Sequence, residues 1–300
     1  MVLAKNQFRE RRLLRWQWHF CIHLEEARLK RSLHILLASL SLVVLPAAYS
    51  QNAAEETPEC NPGRPTVSTP ATLTPVGYLQ FENGVLYAAD SQEFSRRFGV
   101  NQVTKLAVNS RLQLLLLSEP LTHSAGAGAS DGYRPGGVGA GIQGVLFHGE
   151  GARPTISASY IRQIYGGTAT DFDMGSANNS AILLVSTDLG QFHFDINGMV
   201  NEQVDGAVRR AQFGQTLSVS HPLGKVTIAG ELWHFSQPLT HGNAAGSLWA
   251  VSYPLKKNLV VDSGFEHGLT GTSTQWEGFA GFTYLLPHRL WRARKSQSQQ

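Results

Sequence analysis

From Gly77 onward the chain alternates apolar and polar residues with a period of two. In Phe192–Asn197, Phe192, Phe194 and Ile196 fall on one side and His193, Asp195 and Asn197 on the other, because successive side chains of a β-strand point to opposite faces. Leu79, Phe81, Val85 and Tyr87 alternate in the same way with Gln80, Glu82 and Gly84. Phe213, Leu217 and Val219 alternate with Gln212, Thr216, Ser218 and Ser220, and Trp249, Val251 and Tyr253 with Ala250 and Ser252. No comparable helical period is present. The pattern predicts twelve strands, near 77–88, 98–108, 111–118, 137–148, 154–165, 179–188, 191–204, 209–221, 225–236, 246–255, 259–269 and 276–286.

The connections between these strands are of two kinds. Asn109-Ser110, Gly149 to Arg153, Leu189-Gly190, Pro222 to Gly224 and Lys256 to Asn258 are tight, whereas Glu119 to Gly136, Gly166 to Asn178 and Gln237 to Ala245 are longer and rich in small residues. Alternating short turns and long loops mark an up-and-down barrel of the outer membrane, with short turns on the periplasmic side. A soluble β-sandwich also offers many alternating strands, but not this alternation of loop length. It also gives no reason for aromatics near strand ends, such as Tyr78, Tyr87, Phe147, Tyr165, Phe192, Trp249, Tyr253 and Tyr284, which suit interfacial girdles. The expected fold is therefore all-β: an antiparallel up-and-down transmembrane β-barrel of about twelve strands. An even count puts both ends of the barrel on the periplasmic side.

Charge supports that picture once it is divided along the chain. The whole sequence carries +3, with 25 Lys/Arg against 22 Asp/Glu. Residues 1–50 hold 8 of the basic and 3 of the acidic residues, so 51–300 hold 25 − 8 = 17 and 22 − 3 = 19, a net of −2. The basic excess belongs to the N-terminus, and a nucleic-acid partner, which needs a basic patch on the folded domain, is excluded. Charged residues make up 16% of the chain, against about 25% in ordinary soluble domains. In a barrel the remaining charges belong in the lumen, because Arg or Lys on the lipid face costs about 2–4 kcal/mol at the midplane. The strand parity nominates Gln80, Glu82, Arg111, Gln113, His193, Asp195, Asn197, Glu231, Asp262 and Glu266 as lumen-facing. Arg162, Arg209 and Arg210 could join Arg111 in a basic ladder or sit at the rims.

The N-terminus reads as an address. Lys30 and Arg31 precede the apolar run Ile35–Leu45, and Ala48 and Ser50 precede a cleavage point near Ser50, the layout of a secretory signal peptide. Residues 1–50 form a leader, 51–76 a Pro-rich extended lead-in, 77–286 the barrel and 287–300 a basic tail. Of the two cysteines, Cys21 lies in the leader and Cys60 in the lead-in, so the mature chain has no internal disulfide. In this setting the partners are outer-membrane lipid, a small-molecule solute and the barrel-assembly machinery during insertion.

Three stretches carry a family resemblance: GYLQFENGVLY (77–87) after the Pro-rich lead-in, LAVNSRLQLLL (106–116), and VVDSGFEHGLTGTSTQWEGFAGFTYLL (260–286) as a closing hairpin. They resemble the outer-membrane β-barrel family named for the MetA pathway of phenol degradation. The resemblance spans roughly 60–286 and implies a transporter or channel for small solutes, apolar or aromatic compounds among them. It implies no catalytic residues and no cofactor. Such barrels usually end on an aromatic residue, whereas here Pro287-His288-Arg289-Leu290-Trp291 and a basic tail follow Leu286.

Other motifs point elsewhere. Gly139 to Gly144 matches GxGxxG, but a dinucleotide fingerprint needs a helix behind it, and strand glycines are the simpler account. The histidines are scattered without metal-ligand spacing. His234 and Ser236 lie on one face of a strand, the minimal ingredients of a base and a nucleophile, so a barrel lipid hydrolase is one alternative function. A plugged structural barrel with binding loops is another, and Glu119 to Gly136 is the expected inward-folding loop.

Overall fold

The computed structural model describes residues 57–92, 94–126, 129–166, 177–239 and 242–291. The leader, with its cleavage point, and the tail beyond Trp291 lie outside them. Among the described residues thirteen strands follow in order: β1 (Leu79–Ala89), β2 (Arg96–Asn109), β3 (Leu112–Gly126), β4 (Ala129–Arg134), β5 (Val138–Phe147), β6 (Thr155–Tyr165), β7 (Ala177–Leu189), β8 (Phe192–Asp205), β9 (Val208–Leu223), β10 (Val226–Gln237), β11 (Gly242–Lys256), β12 (Leu259–Gly268) and β13 (Trp276–Leu285). Each pairs antiparallel with its neighbours, and β1 pairs with both β2 and β13 while β2 pairs with β3. The ring β1-β2-β3-β5 through β13 is a closed barrel of twelve strands. The short β4 hydrogen-bonds only to the far end of β3.

That hairpin corrects one expectation. Much of Glu119 to Gly136 does not fold inward as a loop. It continues β3 to Gly126 and returns as β4, with Arg96 to Val100 of β2 paired along it. Its small residues read as loop, yet Gly126 sits where a Cβ would strike Ser95.

The closing seam is regular. β1 and β13 pair from Gln80–Leu285 to Ala89–Trp276 without a bulge. Tight turns gather at the end where the chain enters β1 and leaves β13. Four are two-residue connections, Ser110-Arg111, Gly190-Gln191, Gly224-Lys225 and Lys257-Asn258, and a fifth, Gly206-Ala207, lies at the opposite end. Gly190 and Gly224 take φ of +67° and +66°. A positive φ at the first central position is the type II′ pattern, which matches strand twist and favours glycine.

The faces are sorted in the reverse sense of a soluble protein. Neighbours Glu231 and Leu232 on β10 are 3% and 57% exposed. Leu116, Ile142, Leu183, Ile196, Leu217, Trp249, Phe265 and Phe282 are all exposed on the outside. Phe147, Phe192 and Tyr253 lie toward one end of the wall and Tyr87, Tyr165 and Trp276 toward the other, all exposed. Among the largest fully buried side chains are Gln80, Gln113, Gln143, Gln212 and Asn197. An apolar outer band over a polar interior, closed so that no backbone edge is left, is the surface of a membrane-spanning barrel.

Candidate lumenal site

Residues 61–74 lie within the polar interior. This Pro-rich stretch is extended and irregular, and it does not hang outside the barrel. It runs through the lumen, and its main chain hydrogen-bonds to side chains around the wall. Two wall amides clasp single residues from both sides. Gln80 accepts from the Asn61 amide at 2.9 Å and donates to the Asn61 carbonyl at 2.7 Å. Asn197 does the same at Thr69, accepting from its amide at 2.6 Å and donating to its carbonyl at 3.0 Å. Glu231 accepts from three groups: the Val67 and Ser68 amides, both at 2.7 Å, and the Ser68 hydroxyl at 2.6 Å. Further along, the Ala71 amide donates to Ser186 Oγ at 2.7 Å, Gln143 Nε2 donates to the Pro70 carbonyl at 3.0 Å, and Ser157 donates to the Ala71 carbonyl. Gln113 accepts from the Thr74 amide and hydroxyl, both at 2.8 Å.

One plug side chain carries charge into the site. Arg64 Nη2 lies 3.1 Å from Asp262 Oδ1, whose side chain is 1% exposed. The space it occupies is cut by glycines: a Cβ on Gly84 or on Gly281 would run into the Arg64 guanidinium. These two residues face each other across the β1–β13 seam, so the room for the guanidinium is supplied by two glycines. Beside it Lys105 Nζ pairs with Glu82 Oε1 at 2.6 Å, and the same Glu82 oxygen accepts from the Gly63 amide at 3.0 Å. A second notch is apolar. Trp233, Phe235 and Ala244 form the buried cluster of the lumen, with Val67 of the plug and Met199 of β8 packed on it. Gly246 and Gly214 make room for the Trp233 and Phe235 rings.

The ends of the plug are tied to the tight-turn rim. The Cys60 amide donates to the Lys257 carbonyl, between β11 and β12, at 3.0 Å. Burial pushes the Cys60 thiol up to about 11, with Glu82 and Glu59 adding to the effect and backbone hydrogen bonds opposing it. At the other end the chain beyond β13 folds back over the point where the plug joins the wall. Leu290 N donates to the Gly77 carbonyl at 2.8 Å, and Arg289 Nε to the Val76 carbonyl at 3.2 Å. Trp291 Nε1 donates to the Val108 carbonyl at 3.2 Å. Gly77 takes φ +81°, and a Cβ there would strike the Trp291 carbonyl.

Of the residues the alternation nominated, Gln80, Glu82, Gln113, Asn197, Glu231 and Asp262 meet at the plug. Asp195 is buried and accepts from the Ser186 hydroxyl, while His193 bridges it, at 3.3 Å, to Asp188, at 2.6 Å. Glu266 is buried on β12 at the level of Leu248, which pairs in turn with Glu231. Arg111 is not in the lumen: it sits exposed in the turn between β2 and β3. A turn residue has no strand parity, so alternation could not place it. Arg162 and Arg210 are also exposed, and Arg209 pairs at 2.6 Å with Glu202 in an exposed ion pair.

The other nominated groups find different uses. His234 Nδ1 meets Gln215 Oε1 at 3.0 Å, and Ser236 Oγ accepts the Phe213 amide at 2.8 Å. Each turns toward β9 and not toward the other, so no nucleophile–base pair is assembled. The GxGxxG stretch is part of β5, where a Cβ on Gly141 would press on the Tyr160 carbonyl.

The residues of the plug itself were missed as site residues. A signal for them exists in the wall: Gly84, Gly214, Gly246 and Gly281 interrupt otherwise regular strands on the inward side. An isolated strand glycine marks a close approach by something else.

No protein-family model matches this sequence, and no curated protein matches it. Among solved structures, the chain is similar to an outer membrane channel from Pseudomonas putida F1. The TM-score is 0.55 at 12% identity, covering 76% of this chain and 100% of that one. A likeness to the KdgM porin has a TM-score of 0.47 at 11% identity, covering 68% of this chain and 98% of that one. The first of these concerns the fold: an outer-membrane type of β-barrel.

Proposed function

We propose that the chain is an outer-membrane channel for small solutes that its own residues 57–76 hold shut. One observation carries the reading. A tethered segment of the same chain lies in the polar lumen of a closed transmembrane barrel and is held by noncovalent bonds, mostly to its main chain. A purely structural barrel of this width could be filled by its own wall side chains. Here the wall keeps glycine notches, and its amides bond to a separate segment of the chain.

In the membrane the tight-turn end, with both ends of the barrel chain, faces the periplasm and the longer connections face outward. Cleavage near Ser50 and insertion by the barrel-assembly machinery belong to the same reading. The plug then withdraws toward the periplasm, because its ends lie at that rim, and the Cys60–Lys257 contact opens as it leaves. Withdrawal leaves Glu231 and Asp262 without the groups that now satisfy them, and rings of carboxylates favour cations. The resemblance to barrels of phenol degradation adds aromatic solutes. The Trp233–Phe235 cluster under Val67 is where such a ring would rest, while the remaining wall suits polar solutes.

The test is a tether. Cys60 and Lys257 are joined by a main-chain hydrogen bond, close enough for a disulfide after Lys257→Cys. In planar bilayers the reduced full-length variant is expected to show conductance steps, and the oxidised form to lose them. Equal conductance in both states would sink the gating. Silence of the wild type and of the Arg64→Ala variant at every voltage would leave a structural barrel.

A further inference from the structure

The way the plug is held says what else the lumen can hold. Seven main-chain amides of the plug, those of Asn61, Gly63, Val67, Ser68, Thr69, Ala71 and Thr74, donate to wall side chains. The carbonyls of Asn61, Thr69, Pro70 and Ala71 accept from wall side chains. The two clasps at Gln80 and Asn197 each read the N–H and C=O of one residue, the exchange that a neighbouring strand would make. None of these bonds depends on which side chain the plug carries at that position. The wall therefore recognises an extended polypeptide as such, in the manner of strand addition to a sheet edge but with side-chain amides in place of a backbone edge.

Apart from the Thr74 hydroxyl, which donates to Gln113, side chains of the plug are read within residues 64–68. Arg64 enters the notch between Gly84 and Gly281 and meets Asp262. Three positions later Val67 covers Trp233, Phe235 and Met199. Next to it the Ser68 hydroxyl reaches Glu231 and, at 2.7 Å, Thr216. These are a cationic notch, an apolar notch and a hydroxyl contact in fixed order along one extended chain.

Resting on the channel reading, we infer that the lumen is a binding site for linear oligopeptides. Its ligands carry a basic residue followed three positions on by an aliphatic one, and the plug is a built-in occupant of that site. Opening exchanges the plug for such a peptide. The main-chain contacts give affinity without regard to sequence, and the two notches set the register. Hydroxyl-rich sugars of similar length lack the paired N–H and C=O that the clasps read, so they compete poorly.

The experiment uses the full-length refolded chain with Arg64→Ala and Ser68→Ala, which loosen the plug and leave the wall intact. The probe is a Gly/Ser/Thr peptide of unrelated sequence with one Arg and, three positions on, one Val. At about twelve residues and about 3.3–3.6 Å each it spans the lumen when extended. Three controls accompany it: the same peptide with alternate amides N-methylated, the same composition with Arg and Val exchanged, and a linear maltooligosaccharide of equal length.

Binding is read by calorimetry in detergent and by blockade of single-channel current. The probe is expected to bind at least about tenfold more tightly than the N-methylated peptide and the sugar, with the exchanged peptide in between. Equal binding by probe and N-methylated peptide overturns the proposal, and so does no binding of the probe. If calorimetry shows binding but the variant passes no current, the channel reading fails and the peptide site stands. If it conducts without binding, the reverse holds.

Wild type supplies a second readout that needs no variant. A peptide that takes the plug's place frees Cys60, so the probe is expected to speed alkylation of that thiol and the N-methylated peptide to leave it unchanged. Identical rates with both peptides count against the site.

Discussion

The lumen has two unlike sides. On β1, β10 and β12, the carboxylates of Glu82, Glu231 and Asp262 hold plug residues 63–68. On β3, β5, β6, β7 and β8, the neutral groups of Gln113, Gln143, Ser157, Ser186 and Asn197 hold residues 69–74. The number of bonds is similar, but the cost of breaking them is not. A neutral amide or hydroxyl that loses a partner can take water, and the net loss is about 1 kcal/mol. A buried carboxylate that loses its donors must be rehydrated fully or stay uncompensated. The charged side therefore decides whether the plug stays, and the neutral side mainly decides its path.

Substitutions on the charged side sharpen this contrast most. Glu231→Gln keeps the shape of the side chain but turns an acceptor edge into a donor edge facing the Val67 and Ser68 amides. Hydrogen bonds to a charged group contribute about 1.5–3 kcal/mol. We expect the plugged state to lose about 2 kcal/mol, roughly thirtyfold in the released population. The Cys60 alkylation rate in the folded barrel measures that population. If Glu231→Gln changes it no more than Asn197→Ala does, the two sides are alike and the contrast is broken.

Arg64→Ala comes next. It removes the partner of a buried carboxylate, but the arginine is itself partly in contact with solvent, which moderates the loss. About 1.5 kcal/mol, roughly tenfold in release, is expected. Adding Asp262→Asn should restore part of it, because the stranded charge is then gone. Gly84→Ala tests the same notch from the wall: it crowds the guanidinium and should release the plug in the same direction with the strand register unchanged. Additive effects of Arg64→Ala and Asp262→Asn would mean that the 3.1 Å pair is not a coupled one.

The history of these residues shows how far a linear pattern reaches. Period-two alternation is local: it sorts Glu231 from Leu232 because they are adjacent on one strand. Closure into twelve strands was equally legible, since turn glycines such as Gly190 and Gly224 and the paired tight turns announce themselves. The plug was not, for a physical reason. Its bonds join residues as far apart as Arg64 and Asp262, and most are made by its backbone, which carries no side-chain pattern. Five prolines within 58–75 prevent a ladder but not an extended path through a lumen. Arg111 and the segment from Glu119 failed for simpler reasons: a turn has no parity, and small residues serve a hairpin as well as a loop. The inward glycines were the overlooked clue, visible as gaps in the alternation with no turn nearby.

On the neutral side Asn197→Ala removes both bonds of one clasp. About 1 kcal/mol, roughly fivefold in release, is expected, and Gln113→Ala should do somewhat less because Thr74 lies close to the tethered end of the plug. Neither should alter ion selectivity once the pore is open, whereas Asp262→Asn should reduce a cation preference. Reversal potentials in a salt gradient separate the two. A loss of selectivity in Asn197→Ala equal to that in Asp262→Asn would mean that the amides, too, set the field of the pore.

The smallest effect is one of pH, and it concerns the mouth of the plug. Burial in the first place, with Glu82 and Glu59 behind it, raises the Cys60 thiol to about 11 from 9.0. The plugged state thus prefers the protonated thiol. Its contribution is fully present below pH 9.0, the value for the freed group, and is lost as pH climbs through about 11. Release should therefore increase between those values in the wild type. The slope should vanish in Cys60→Ser, read as the frequency of opening steps so that thiol reactivity plays no part. Since the thiol is only partly buried, the change should stay below that of Asn197→Ala. A rise of the same steepness that survives Cys60→Ser would mean that the thiol is not the group that couples release to pH.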